Sequence, residues 1–385
     1  MLLVYFIPLI LFTVSCAIPV SRRESDDDAI SQILDDSLRS DAQIIDNFLQ
    51  DLSSNETQME QTNSNESKSS HEKVPFLIVA DNDELAYGNG DNESYVWRSP
   101  SLRGYVVYNM ETLEYRFDWK ESAQYKGRLA YGNRGMELSD LKFFNGKLLS
   151  PCDKTGVIYW LTSRKAVPLV INSDGNGSHE KPFKAEWMTI KDDKLYVGGY
   201  GKEWTLNNGS IDEYLGPNPL YIKIIDKNWH VDHVDWKTQF NALRAHTGSL
   251  YPGYMLHEAV QWSEFHRKWF FLPRKYSKLP YRPHDSETQG ANFLLMADED
   301  FKQIEKVDIK SHYTDAARGF SAFQFLPGSM DEIIIALKTV EVTGQPFASF
   351  VTVFDIRGKV LYEERKIAGD DKYEGLEFYD WTIAN

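Results

Sequence analysis

Five oxygen-bearing residues recur along the chain at one place in a repeated pattern: Ser139, Glu186, Glu258, Ser321 and Glu374, at intervals of 47, 72, 63 and 53 residues. The repeat is plainest in "GMELSDLKFFNGKLL" (135–149) and "KAEWMTIKDDKLYV" (184–197). With Ser139 laid on Glu186, each shows an alternating strand, a two-residue turn (Asn145-Gly146 against Asp192-Asp193), Lys-Leu and a second strand. Further copies start at Glu258, "EAVQWSEFHRKWFFL", and at Ser321, "SAFQFLPGSMDEIIIAL", with turns expected at Phe265–Arg267 and Gly328–Met330. A fifth begins at Glu374, "EGLEFY". Two hydroxyls and three carboxylates brought together would offer only oxygen. Three crowded carboxylates repel strongly unless a cation neutralises them. An all-oxygen set of loose geometry suits Ca²⁺ better than Zn²⁺ or Cu²⁺, and Mg²⁺ wants a stricter octahedron. The same residues would serve equally as ordinary polar groups at strand edges, and spacing alone leaves both readings open.

The elements that must position these residues read as strands. "FLIVAD", the hairpin "RGYVVYNMETLEYRFDW", "GVIYWL", "KLYVGG", "PLYIKIID", "KWFFLP", "EIIIAL" and "ASFVTVFDIRGKVLYEE" follow one another with turn signals between them. Only "KTQFNALRAHTG" (237–248) has a helical pattern. Strands without βαβ alternation mean a sandwich, barrel or propeller, and hairpin repeats near 50 residues select the propeller. Five marked residues imply five blades, each with its mark at the start of the innermost strand and facing a central channel. The fifth copy lacks return strands. "FLIVAD" and "RGYVVY" are expected to supply them and close the ring, which removes the sheet edges. The expected fold is therefore all-β, a five-bladed β-propeller over residues 73–385 whose central channel would bind Ca²⁺ if the five marked residues are ligands. "FLIVAD" is assigned to the channel side.

Composition sets the class. The 385 residues carry a formal net charge of −15, which argues against nucleic acid as a partner but leaves room for a small phosphorylated ligand in a local basic pocket. Residues 1–17, "MLLVYFIPLILFTVSCA", read as a secretory signal peptide, with an uncleaved signal anchor as the alternative. Residues 18–72 form an acidic, largely disordered segment: 13 acidic and 4 basic residues fall between Arg22 and Glu72. Ile30, Leu34, Leu38, Ile45, Leu49 and Leu52 would lie on one face of a short helix there. Five glycosylation sequons, at Asn55, Asn65, Asn92, Asn176 and Asn208, fit a secretory route. Loss of the leader removes Cys16 and leaves Cys152 alone, a structural residue rather than a nucleophile, so the core must hold without disulfides. The chain has no GxxxxGK[ST] loop, no HExxH and no cysteine cluster.

Several stretches taken together are specific: "RGMELSDLKFFNGKLLS", "DKTGVIY", "PFKAEWMTIKDDKLYVGGYGKEW", "GYMLHEAVQWSEFHRKWFFLPR", "RGFSAFQFLP", "EIIIALKT" and "KYEGLEF". They resemble the calcium-activated nucleotidase family, the bed-bug-type apyrases, across almost the whole region after the acidic segment. The resemblance implies a five-bladed propeller with channel Ca²⁺ that hydrolyses nucleoside di- and triphosphates, the UDP, GDP, ADP and ATP class. It implies Ser139, Glu186, Glu258, Ser321 and Glu374 as metal ligands. Basic candidates near the blade mouths are Arg134 and Arg274 for catalysis, and Arg98 and Lys202 for substrate binding, because phosphoryl transfer spreads charge over equatorial oxygens. In "VADND", Asp81 and Asp83 lie on one side of an extended segment, and both match acidic positions of the family. Asp83 is the first choice to serve the attacking water, Asp81 the second and Glu203 the third. Asp81 would otherwise cap a turn. Trp204 and Trp97 are candidate stacking platforms for the base, Trp204 the first choice, although buried blade aromatics are the commoner use of such residues. The sequence departs from the family pattern at "WRSPSLRG", where Pro100 bears on the reach of Arg98, and at "SPCDKTG", where Cys152 is a neutral change.

Two other classes fit parts of the pattern. One is a non-catalytic, Ca²⁺-plugged propeller that binds an extracellular partner; the other is a six-bladed Ca²⁺-propeller hydrolase such as a lactonase. The expected location is secreted, with the ER or Golgi lumen as the alternative, and the last residues "TIAN" are not a retention signal. A cleaved leader would leave no stable membrane association. Base preference and oligomeric state have no signal in the sequence.

Overall fold

The computed structural model describes residues 71–87, 95–163, 165–206, 208–312 and 315–380. The leader, the acidic segment up to residue 70 with its candidate helix, and the sequons at Asn55, Asn65 and Asn92 lie outside the described residues.

Strands β1 (Glu72–Ala80), β2 (Trp97–Asn109) and β3 (Glu114–Gly127) begin one blade. Strands β4 (Lys142–Phe144), β5 (Lys147–Pro151), β6 (Val157–Leu161) and β7 (Ala166–Ile171) form the next. Then come β8 (Trp187–Lys191), β9 (Lys194–Gly198), β10 (Tyr221–Ile225) and β11 (Val231–Asp235). The fourth blade holds β12 (Tyr254–Ser263), β13 (Lys268–Ser277), β14 (Phe293–Asp298) and β15 (Ile304–Asp308). The fifth holds β16 (Arg318–Phe325), β17 (Ile333–Val340), β18 (Ala348–Asp355) and β19 (Val360–Lys366). Finally β20 (Tyr373–Glu377) joins the first blade in the order β20-β1-β2-β3, pairing Ile78 with Leu376 and Val79 with Gly375. The five-bladed propeller and its closure by the segment holding "FLIVAD" are as the repeats predict. One assignment is corrected: β1 is the second strand of its blade, and β20 is the innermost.

The strands are apolar on successive residues because each blade is covered on both faces. Five hydrophobic clusters fill the five junctions between neighbouring blades. In β1, Phe76, Ile78 and Ala80 pack toward the blade of β16–β19, while Leu77 and Val79 pack toward the blade of β4–β7. In β14, Phe293 and Leu295 face one junction and Leu294 and Met296 the other. The paired hairpin turns have a backbone reason. Asn145 (φ 49°) with Gly146 (φ 71°), and Asp192 (φ 49°) with Asp193 (φ 59°), all adopt the left-handed region, as the primed turns that match strand twist require. The helical pattern forms α1 (Lys237–Thr247), ended by Gly248 at φ 73°. Cys152 is fully buried, and burial pushes its thiol up to about 12, in keeping with a structural role.

Candidate active site

The innermost strands pack in the circular order β4, β8, β12, β16, β20 and back to β4. The five marked residues stand at their entrances. Ser139 leads into β4 with its N–H on the Pro151 carbonyl (3.1 Å), and Glu186 leads into β8 with its N–H on Gly198 (2.7 Å). The other three are residues that strand pairing skips. Register passes from His257–Pro273 to Ala259–Leu272, from Phe320–Lys338 to Ala322–Leu337, and from Tyr373–Ala80 to Gly375–Val79. Glu258, Ser321 and Glu374 are thus β-bulge residues, and a bulge re-aims a side chain that regular alternation would turn into the blade. All five are at most 4% exposed.

Arg274 ties two of them together. Its Nη1 donates to Glu374 Oε1 (2.7 Å) and to Glu258 Oε2, and its Nη2 to Glu341 Oε2 (3.0 Å). Since β12 and β20 are not neighbouring strands, this contact crosses the channel. Glu186 Oε1 lies 2.7 Å from Lys184 Nζ yet outside hydrogen-bonding geometry, which leaves a buried oxygen without a hydrogen bond. Burial pushes the carboxyls of Glu186, Glu258 and Glu374 above the usual range, against the pull of Lys184, Arg274 and Lys372. The Ser321 hydroxyl donates to the Tyr373 carbonyl (2.9 Å), and that of Ser139 lies 3.4 Å from the Glu137 carbonyl.

Beside the ring lies a second layer of charge. Asp83 accepts from Arg134 Nη2 (2.6 Å) and Lys372 Nζ (2.6 Å). Arg134 also donates to both oxygens of Glu137, and Lys184 to Asp153. Carboxylate oxygens of Asp81, Glu137 and Asp153 lie within 4.8 Å of one another. Burial, with repulsion from Asp81 and Asp153, raises Glu137 to about 8 despite its bonds to Arg134. Burial works against the charge of Lys372, but Asp81, Glu374, Glu341 and Asp83 hold it well above the usual lysine range.

Two clefts open onto this layer. The larger, of about 650 Å³, is lined by Asp83, Arg134, Lys275, Tyr281, Glu341 and Phe347 among others. The smaller, of about 180 Å³, is lined by Tyr131, Arg134, Asp153, Lys181, Lys184 and Trp204 among others. Arg134 belongs to both.

The sequence-based candidates therefore separate. Asp81, Asp83, Arg134 and Arg274 join the five ring residues at one place. Asp83 does not continue an extended segment, however. It opens a 3₁₀ turn (Asp83–Ala86) at φ 48°, with its N–H on Asp81 Oδ1 (2.9 Å), so Asp81 caps that turn as well as facing Glu137 and Asp153. Arg274 is committed to carboxylates rather than directed at a cleft. Glu203 is drawn into a bidentate pair with Arg244 of α1 (2.7 and 2.9 Å); burial opposes its charge, but Arg244 holds it below the usual carboxylate value. Lys202 turns inward to the Glu203 carbonyl and Thr205 Oγ1, over the Tyr281 ring, and burial lowers it to about 8. Arg98 stands in β2 opposite Lys126 and lines neither cleft. Trp97 is buried against Tyr87, whereas Trp204 walls the smaller cleft.

Sequence reasoning missed Glu137, Asp153, Lys184, Glu341 and Lys372. Three of them had a signal. Glu137, Lys184 and Lys372 each stand two residues before a marked residue, on the same side of an extended chain.

Comparison with known proteins bears on this geometry. The sequence model of the family described as Apyrase matches residues 85–379. An apyrase of Cimex lectularius is 43% identical over 80% of this chain and 83% of its own length. Apyrase apy-1 of Caenorhabditis elegans is 43% identical over 73% and 79% respectively. Soluble calcium-activated nucleotidase 1 of Mus musculus is 43% identical over 79% and 73%.

Proposed function

The chain belongs to the apyrase family, and from that membership we propose that it is a Ca²⁺-dependent hydrolase of nucleoside di- and triphosphates, the UDP, GDP, ADP and ATP class. The products are a lower phosphate and inorganic phosphate. The supporting observation is the junction, beside two clefts, of a five-residue oxygen ring with the paired charges of Asp83, Arg134, Lys184 and Lys372.

The ring fits a hard cation. Ser139, Glu186, Glu258, Ser321 and Glu374 offer only oxygen. Glu258 and Glu374 converge on one nitrogen from across the channel, and Glu186 Oε1 is paired with the Lys184 ammonium (2.7 Å), so all three ring carboxylates already face positive charge. A bound Ca²⁺ would neutralise the ring carboxylates and polarise phosphate oxygens. The side chains do the rest. Arg134, a quarter exposed and shared by both clefts, holds phosphate oxygens, with Lys184 and Lys372 adding positive charge behind it. Asp83, also a quarter exposed, orients and deprotonates the attacking water, while Asp81 fixes the turn that presents it. Trp204 and Tyr131 give the smaller cleft an aromatic wall for a base. Arg274 holds the ring carboxylates in place.

Secretion rests on the leader and the sequons. Asn176 and Asn208 are both exposed, and the side chain of each accepts a hydrogen bond from the backbone N–H of the serine two residues on. Among the described residues no helix is long and apolar enough to cross a membrane. The test is phosphate release from UDP, GDP, ADP and ATP by the purified protein with Ca²⁺ and with Mg²⁺. Release that needs Ca²⁺ is expected. Nucleotide binding without release would favour the Ca²⁺-plugged binder instead.

A further inference from the structure

Three residues beyond each ring residue, every innermost strand carries another polar side chain: Lys142, Thr189, Gln261, Gln324 and Glu377. All are at most 9% exposed. Residues three apart on a regular strand face opposite sides. In β12, β16 and β20 the bulge adds a residue and resets the alternation, so both layers reach the axis.

Three members of the second layer converge on the nitrogen of a fourth. Lys142 Nζ donates to Gln261 Oε1 (3.0 Å) and Gln324 Oε1 (3.1 Å), and lies 3.4 Å from Glu377 Oε2. Around this hub each side chain also bonds the backbone of a neighbouring blade. Thr189 accepts from the Trp262 N–H (2.9 Å), Gln261 donates to the Phe323 carbonyl (3.1 Å), and Gln324 donates to the Leu376 carbonyl (2.9 Å). Glu377 accepts from the Phe143 N–H (3.3 Å), and Asp140 on the entrance to β4 accepts from the Met188 N–H (2.6 Å). These five bonds cross all five junctions and form a closed belt.

We propose that Lys142 is a positioning residue whose ammonium does the work of a bound monovalent cation, gathering the belt and thereby setting the spacing of the metal-ring strands. The two amide groups donate to backbone carbonyls, so their oxygens must point inward, where Glu377 adds a negative charge. Thr189 Oγ1 donates to Gln261 Oε1 as well (3.1 Å), but only the Lys142 ammonium reaches the oxygens of Gln261, Gln324 and Glu377 together, and three buried oxygens from three strands meet favourably only around a cation. The proposal rests on the reading of Ser139, Glu186, Glu258, Ser321 and Glu374 as the metal ring.

The experiment is chemical rescue of Lys142→Ala, read by calorimetric Ca²⁺ binding without nucleotide and by thermal unfolding. Loss of groups that orient metal ligands typically costs about 10–100-fold in metal affinity, and that loss is expected here together with a lower Tm. Potassium or ammonium chloride should restore both, and tetramethylammonium chloride at matched ionic strength should restore neither. Equal recovery with tetramethylammonium, or a lower Tm with unchanged Ca²⁺ affinity, overturns the proposal. Should Lys142→Ala fail to fold in every salt, Gln324→Met decides: it removes one hub acceptor and one belt bond, and unchanged Ca²⁺ affinity there refutes the positioning role. Failure of the metal reading looks different. In that case the parent binds no Ca²⁺, while potassium-specific recovery of Tm in Lys142→Ala still decides the hub.

Discussion

Replacing Asp83 by Asn removes one negative charge at the edge of the larger cleft and keeps the size of the side chain. Asp83 faces two cations, Arg134 Nη2 and Lys372 Nζ, each at 2.6 Å. Neither is stranded by the change, because Arg134 keeps Glu137 and Lys372 keeps Asp81, Glu341 and Glu374. The Arg134 pair is a quarter exposed on both sides, and the buried Lys372 keeps its other carboxylates, so the expected loss of stability is about 1 kcal/mol. In a domain of this length that is a Tm shift of no more than about 2–4 °C. The catalytic cost is larger. A positioned general base contributes about 10²–10⁴-fold, which corresponds to about 3–5 kcal/mol of barrier. The assay is steady-state phosphate release at saturating Ca²⁺, with nucleotide affinity measured separately. Asp83→Asn should bind nucleotide as tightly as the parent or more tightly, since a carboxylate facing the phosphates has lost its charge, and should hydrolyse it slowly. Hydrolysis at the parent rate would refute the assignment and pass the role to Asp81.

Other variants probe the ring, its arginine and the core. Glu258→Gln should fold and lose most Ca²⁺-dependent hydrolysis, because one of three ring carboxylates is neutral; an unchanged activity profile across a Ca²⁺ titration counts against the ring. Arg274→Ala leaves Glu258 and Glu374 without their shared donor, and breaking a buried pair costs about 3–5 kcal/mol. Both nucleotide binding and turnover should weaken, with the Tm lowered, and normal kinetics would place Arg274 outside the site. Lys223 is fully buried against the Gly175 carbonyl and His233, and burial lowers it to about 8 from 10.5. Below pH 8 it is charged in both folded and unfolded chains. Between 8 and 10.5 the unfolded chain binds more protons, so stability gains with rising pH. The unfolding free energy of the parent relative to Lys223→Met should therefore rise across that window, and a constant difference would show that Lys223 does not titrate there.

Much of the fold was legible because its information is periodic. One polar mark per innermost strand, followed by a hairpin whose turn residues accept the left-handed region, is a pattern that a single chain can display. The apolar runs of β1 and β17 were legible for the same reason, since blades covered on both faces need no alternation. What the sequence could not display arises from pairing between distant strands. The bulges at Glu258, Ser321 and Glu374 exist only relative to β13, β17 and β1. The belt below the ring uses Lys, Thr, Gln, Gln and Glu, four residue types over five positions, so no repeat marks it. Lys202 and Glu203 in "GYGKEW" had the right chemistry for a phosphate site. The residue that turns Glu203 away, Arg244, comes from a helix 41 residues on. Glu341 follows β17 in a loop, and only the fold brings it to Arg274 and Lys372.

The ring assignment is tested most directly by locating the cation itself. Crystals grown with Ca²⁺ should show, in anomalous difference density, a peak on the channel axis bounded by Ser139, Glu186, Glu258, Ser321 and Glu374, one residue from each blade. A peak held instead by Asp81, Glu137 and Asp153, with nothing on the axis, would contradict it and make those three carboxylates the metal site.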